Sequence, residues 1–345
     1  MVSSSEQRES VNDLSRRRSS MSSTSSHASS ASSSSHRSRR NSLYHVKTHH
    51  TIDSEVFKEP GTPELTLMDE LFLLALKDKE GYVSDWDGKL SYVLRCCVII
   101  ELALRGKIQA VAEGKKKKDL APHECKIEVI DGSITGDPLL DQTLGLMKKE
   151  KKNYSVSHWI KLLSGESMNF LKASYQLLHV RKRIERILVE TGILSKQTKK
   201  LAAIGLDTHP IKDIKCKNAI RSRMQYILTA NKVDLPSTKY FPDTVSYRVL
   251  RTIVLACAAY GADILDKGFF QTENETVIGK GRARVLLSLF SKFPFELNQA
   301  VQPDLNEKVS KELHEHPEEA SQLEVVAGAI DVINTIDTVL IKTLF

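Results

Sequence analysis

Two arginines stand where apolar side chains are expected. Arg181 lies on the apolar line of a helical stretch, four residues after Leu177 and three before Ile184, with Leu188 continuing the line. Arg95 sits in a stretch that is apolar nearly all round, with Tyr92, Leu94, Val98, Ile99 and Leu102 close by. A guanidinium drawn out of water has to be paired or hydrogen-bonded. An internal salt bridge meets that need for either arginine alone. Together they could hold a phosphate with two forked, charge-assisted donors.

A second candidate is the hairpin from Lys199 to Asp207. Leu201, Ile204 and Leu206 are flanked there by Lys196, Lys199 and Lys200. An apolar tip with a cationic collar suits shallow insertion into an anionic membrane surface. The same pattern also fits a hairpin packed on its own domain or on a neighbouring subunit.

Catalytic spacing is missing. There is no P-loop, no HExxH and no GxSxG, and Gly279-Lys-Gly281 lacks a third glycine and a clear preceding strand. His314 and His316 lie in an acid-rich stretch that reads as helix surface rather than a metal site. No nucleophile, base and orienter come together. The expectation is a non-enzymatic chain with no catalytic residues, metal or cofactor.

The elements that must position these residues fill most of the 345-residue chain, which is 41% apolar. The first 42 residues hold 19 serines, and residues 1–50 carry eight Lys/Arg against three acids. That accounts for +5 of the net +7 and leaves the body nearly neutral. Such a composition cannot offset the entropy of ordering, so residues 1–60 read as a disordered Ser/Arg-rich tail. Five irregularly spaced cysteines suggest neither a disulfide framework nor a zinc site. There is no signal-peptide pattern and no apolar run near the roughly 20 residues that span a bilayer. A cytosolic chain is expected.

From residue 61 the pattern predicts a mainly α fold: one large helical domain, 61–345, with short β-hairpins resembling winged-helix elements. Thr66 with Asp69 and Glu70 marks a helix start, and Gly106 ends a long helix from about Lys89 to Arg105. A helix is expected from about Ser167 to Glu190, ending at Gly192. Leu102–Ile108 and Leu188–Leu194 repeat one pattern of helix, glycine and short strand.

Several blocks are specific. Leu65-Thr-Leu-Met-Asp-Glu70, Asp78-Lys-Glu-Gly-Tyr82, Ile100-Glu-Leu-Ala-Leu-Arg-Gly-Lys-Ile108, Glu128-Val-Ile-Asp-Gly-Ser133, Trp159 with Leu162-Leu-Ser-Gly-Glu166, and Tyr240-Phe-Pro-Asp243 closely resemble the Golgi phosphoprotein 3 family. The resemblance runs from about Leu65 to Leu344. It implies a peripheral protein on the cytosolic face of Golgi membranes, exchanging with cytosol and binding phosphatidylinositol 4-phosphate. It further implies a grip on glycosyltransferase cytosolic tails, a link to coatomer for recycling within the Golgi, and self-association as a homo-oligomer.

The family's lipid pocket matches Trp86, Arg95, Leu178 and Arg181. Leu178 replaces a usual cation, and Lys182 replaces a usual acid. On the expected continuous helix, Lys182 sits one turn from Leu178 and can serve as the third cation. The family's apolar hairpin matches 201–207, and its coatomer-binding arginines are most like Arg16, Arg17 and Arg18. The alternative from another class is a winged-helix-like nucleic-acid-binding protein using Lys115–Lys118 as its wing. The nearly neutral body and the absence of a dense Arg/Lys/Asn reading face argue against it.

Overall fold

Apolar periodicity builds the molecule around one helix. In the computed structural model the described residues are 59–83, 88–112, 120–165, 170–201, 204–265, 269–297 and 302–337, with side chains undescribed at 170–171, 199–201 and 204–206. The Ser/Arg tail with Arg16, Arg17 and Arg18, the Trp86 position, and Lys115–Lys118 all lie outside them. Helix α1 (Leu67–Ala75) opens on a capping box in which Thr66 and Asp69 each accept from the other's backbone N–H. Helix α2 (Gly88–Leu104) is buried on nearly all sides, Cys96 and Cys97 included.

Around α2 pack α1, α3 (Pro138–Lys149), α4 (Val156–Ser164), α7 (Arg248–Gly261) and α10 (Ala320–Asn334). The outer helices are α5 (Val180–Glu190), α6 (Ile214–Leu228), α8 (Glu273–Phe290) and α9 (Pro303–Glu315). Close approach is set by small residues. A Cβ on Gly328 of α10 would lie 2.5 Å from the Pro122 carbonyl oxygen.

Two antiparallel hairpins complete the fold. Strands β1 (Ile108–Ala110) and β2 (Ile127–Val129) pair with Ile108 opposite Val129. Strands β3 (Gln197–Leu201) and β4 (Ile204–Thr208) pair with Gln197 opposite Thr208. The expected repeat is real at the level of hydrogen bonds. Lys107 N–H donates to Leu102 O and Ile193 N–H to Leu188 O, both at 2.9 Å, after left-handed glycines at Gly106 and Gly192. No helix is long and apolar enough to cross a membrane among the described residues.

One expectation is corrected. The helix predicted from Ser167 to Glu190 is interrupted: a 3-10 turn spans Phe170–Tyr175, and α5 begins only at Val180. His179 precedes it in the left-handed region, at φ 55°. Leu178 therefore lies before α5, and the one-turn spacing that paired it with Lys182 does not apply.

Glu101 on α2 ties three helices. It accepts from Leu67 N–H at the start of α1 (3.1 Å), from Arg105 Nε (2.8 Å), and from Arg251 Nη1 of α7 at 3.0 and 3.1 Å. Burial alone would raise its pKa. The Arg251 and Arg105 charges and these hydrogen bonds outweigh it and hold the group at about 2. Removing this carboxylate leaves Arg251 buried and uncompensated, so Glu101→Gln should cost about 3–5 kcal/mol in denaturant unfolding at pH 7. A group depressed on folding stabilises above its unfolded pKa, near 4.5. The gap between wild type and variant should therefore narrow as pH falls from about 4 towards about 2, which acid titration of the two proteins measures.

Candidate functional site

Arg95, one of the residues singled out in the sequence, lies where α2, the end of α4 and the approach to α5 meet. Helix α4 ends on Gly165, left-handed at φ 81°. The chain returns so that Leu177 N–H donates to Leu163 O (3.0 Å). Arg95 closes this junction. Its Nε donates to Leu163 O (3.3 Å), Nη2 to Leu177 O (2.9 Å), and Nη1 to the carbonyl and hydroxyl oxygens of Ser91 (2.6 and 2.7 Å). Only 7% of the residue is exposed. The buried guanidinium thus donates to three backbone carbonyl oxygens and one hydroxyl.

Arg181 is the second residue of α5 and half-buried. Its Nε pairs with Glu185 Oε1 at 2.8 Å, the internal salt bridge that residue type alone allowed. Lys182 follows and is exposed. Arg183 is spent on α3, donating to Gln142 Oε1 (2.5 Å) and Pro138 O (2.8 Å), and burial lowers its pKa. Three cations therefore occupy the first turn of α5. No acid accompanies them there, and His179 offers no side-chain cap. A helix N-terminus carries about half a positive charge of its own, so this turn is set against its dipole. Leu178, 57% exposed, stands at the edge of this turn.

A chain of contacts leads from Arg181 towards the hairpin. Glu185 Oε2 lies 3.8 Å from His209 Nδ1, just past β4, and His209 N–H donates to Gly81 O (2.8 Å). Gly81 belongs to the loop that leads through Val83 towards Trp86. The foot of the hairpin is held by Thr198 Oγ1 donating to Asp207 Oδ1 (2.9 Å) and by Lys196 pairing with Asp207 at 3.3 Å. Lys196 is therefore partly neutralised, which thins the expected collar. The side chains of Leu201, Ile204 and Leu206 lie outside the described residues, although their backbone forms the distal end of the hairpin.

Elsewhere, His316, Glu318 and Glu319 bring potential ligand atoms within 4.8 Å of one another. Glu319 is already engaged, accepting the Tyr247 hydroxyl at 2.6 Å.

These features describe a helical protein with a cationic helix start joined to a hairpin foot. A family model described as Golgi phosphoprotein 3 (GPP34) matches residues 67–311. The chain belongs to the Golgi phosphoprotein 3 family, and so to Golgi-associated proteins. It is similar to vacuolar protein sorting-associated protein 74 of Eremothecium gossypii, 41% identical over 303 residues, covering 86% of this chain and 91% of that one. The protein of that name from Schizosaccharomyces pombe is 38% identical over 284 residues, covering 81% and 83%.

The geometry gives Arg95 a positioning role that charge alone cannot fill. Arg95→Lys keeps the charge but loses the fork that joins Leu163 O to Leu177 O. Hydrogen exchange at the Leu177 amide should quicken at least tenfold, while the amide of Ile99 in α2 should be little changed.

Proposed function

We propose that this protein is a non-enzymatic peripheral adaptor that binds phosphatidylinositol 4-phosphate on the cytosolic face of Golgi membranes. It carries glycosyltransferase cytosolic tails, links them to coatomer, and self-associates. The observation that carries the reading is the first turn of α5, with three consecutive cations at 181–183 and no side-chain cap, next to the junction closed by Arg95. A phosphate there meets backbone N–H donors, the helix dipole and side-chain cations at once.

In this reading Arg181 and Lys182 bind the headgroup. Arg95 holds the 163–177 junction beside them, and Trp86 contributes an amphipathic ring at the lipid interface. Leu201, Ile204 and Leu206 insert shallowly, while Arg16, Arg17 and Arg18 engage coatomer. Each cation near an anionic surface adds roughly 1 kcal/mol, so a few of them with a small apolar wedge give reversible attachment. Lys182 acts from the third position of α5, and its proximity to the exposed helix start replaces the one-turn argument.

Vesicle co-sedimentation tests the assignment. Arg181→Ala and Lys182→Glu should each weaken binding to vesicles containing phosphatidylinositol 4-phosphate by about tenfold or more, equivalent to roughly 1.4 kcal/mol or above. Binding to phosphatidylinositol vesicles should remain weak throughout. Undiminished binding in both folded variants would remove the first turn of α5 from the site.

A further inference from the structure

A cavity of about 360 Å³ opens between the end of α1, the 76–83 loop, α6 and the end of α7. Arg95, Arg181 and Lys182 do not line it. Its floor is apolar, formed by Leu74, Leu76, Val83, Leu90 and Ile264. One wall carries two cations from a single turn of α6, Lys217 and Arg221.

Lys217 is almost fully buried and donates to Leu76 O and Asp78 Oδ1, both at 2.6 Å. Burial lowers its pKa, and the Arg221 charge pushes in the same direction against the pull of Asp78. Arg221 Nε is enclosed and has no hydrogen-bond partner among the described residues. A buried guanidinium nitrogen without a partner is costly.

The cavity's other charges do not relieve it. Asp263 is engaged with Lys89 at 2.6 Å, and Lys77 lies over the Tyr82 ring. Lys79 and Glu80 are exposed. The excess is positive on the wall, above an apolar floor.

We propose that this cavity is a second ligand site, taking a small amphiphilic anion: a carboxylate or phosphate head on Arg221 and Lys217, with a short hydrocarbon body over the apolar floor. At about 30 Å³ per non-hydrogen atom, the share of a water molecule in its liquid, the space holds on the order of a dozen atoms. That is a head with a chain of about six to eight carbons. The volume falls in the usual range for small-molecule pockets, and few convergent polar groups over an apolar lining is their usual make-up. Such an anion could come from a membrane, as a short-chain fatty acid or alkyl phosphate, or from solution.

Calorimetric titration of the whole chain with hexanoate, hexyl phosphate and hexanol tests the site. Both anions should bind, with hexanol at least tenfold weaker. Arg221→Gln should weaken the anions tenfold or more and leave hexanol unchanged, while Arg181→Ala should leave all three unchanged. Ala262→Leu, which narrows the space without touching the cations, should lower affinity for all three and serves if Arg221→Gln does not fold. Phosphatidylcholine vesicles equilibrated with octyl phosphate separate the sources. Recruitment of wild type but not of Arg221→Gln marks a membrane ligand, whereas saturable binding of the free anions without recruitment marks a soluble one. Hexanol binding as tightly as hexanoate, full anion affinity in Arg221→Gln, or equal loss in Arg181→Ala would each overturn the proposal. The last would put the anion at the start of α5 instead.

Discussion

The buried charge on α2 is the constraint on which the rest depends. Most of that helix could be exchanged among apolar residues of similar size, but Glu101 and Arg95 could not. Glu101 binds α1 through Leu67 N–H and α7 through Arg251, and so fixes the three helices against one another. Arg95, six residues earlier, reaches α4 and the segment before α5 through Leu163 O and Leu177 O. One charged residue thus holds the core, and the other holds the junction from which α5 departs. A hydrophobic core alone is tolerant of small shifts in packing. Oriented bonds to a buried charge are not, because each missed bond leaves a polar group dry.

The direction in which α5 starts is what gives the surface its chemistry. His179 turns the chain in the left-handed region, and the helix then opens on Val180, Arg181 and Lys182 without a capping side chain. In an isolated helix these cations at the N-terminus would be unfavourable. Here Glu185 offsets Arg181, and α3 accepts the donors of Arg183. What remains turned outward is Lys182 and the helix start itself. The contact chain through Glu185, His209 and Gly81 joins that start to the hairpin foot and to the loop leading towards Trp86. Elements far apart in sequence therefore share one region.

Much of this was legible in the sequence, for reasons that differ by residue. The Thr66 capping box, the Gly106 and Gly192 helix ends and the mainly helical pattern depend on local backbone chemistry, which neighbouring residues specify. Arg95 and Arg181 stood out because a cation on an apolar line needs a partner. Which partner is a tertiary matter: Arg95 found carbonyl oxygens at the end of α4, and no spacing rule anticipates that. Glu101 carried the same signal on the same helix as Arg95, a charge within an apolar run, and could have been read from it. Lys217 and Arg221 could not, since α6 is rich in polar residues and nothing local separates a buried lysine from an exposed one. The break before α5 was missed because Leu177 continues the apolar line of the helix that follows, although it precedes the turn at His179.

Amide hydrogen exchange across the first turn of α5 tests the central claim most directly, with vesicles that contain phosphatidylinositol 4-phosphate compared with vesicles that lack it. A phosphate seated there must accept from the backbone N–H groups of Val180, Arg181 and Lys182, which the helix itself leaves without intrahelical acceptors. The account predicts that these amides slow by tenfold or more with the phosphoinositide, while amides in α9, remote from the site, keep their rates. Binding to the vesicles with unchanged exchange at 180–182 would contradict it.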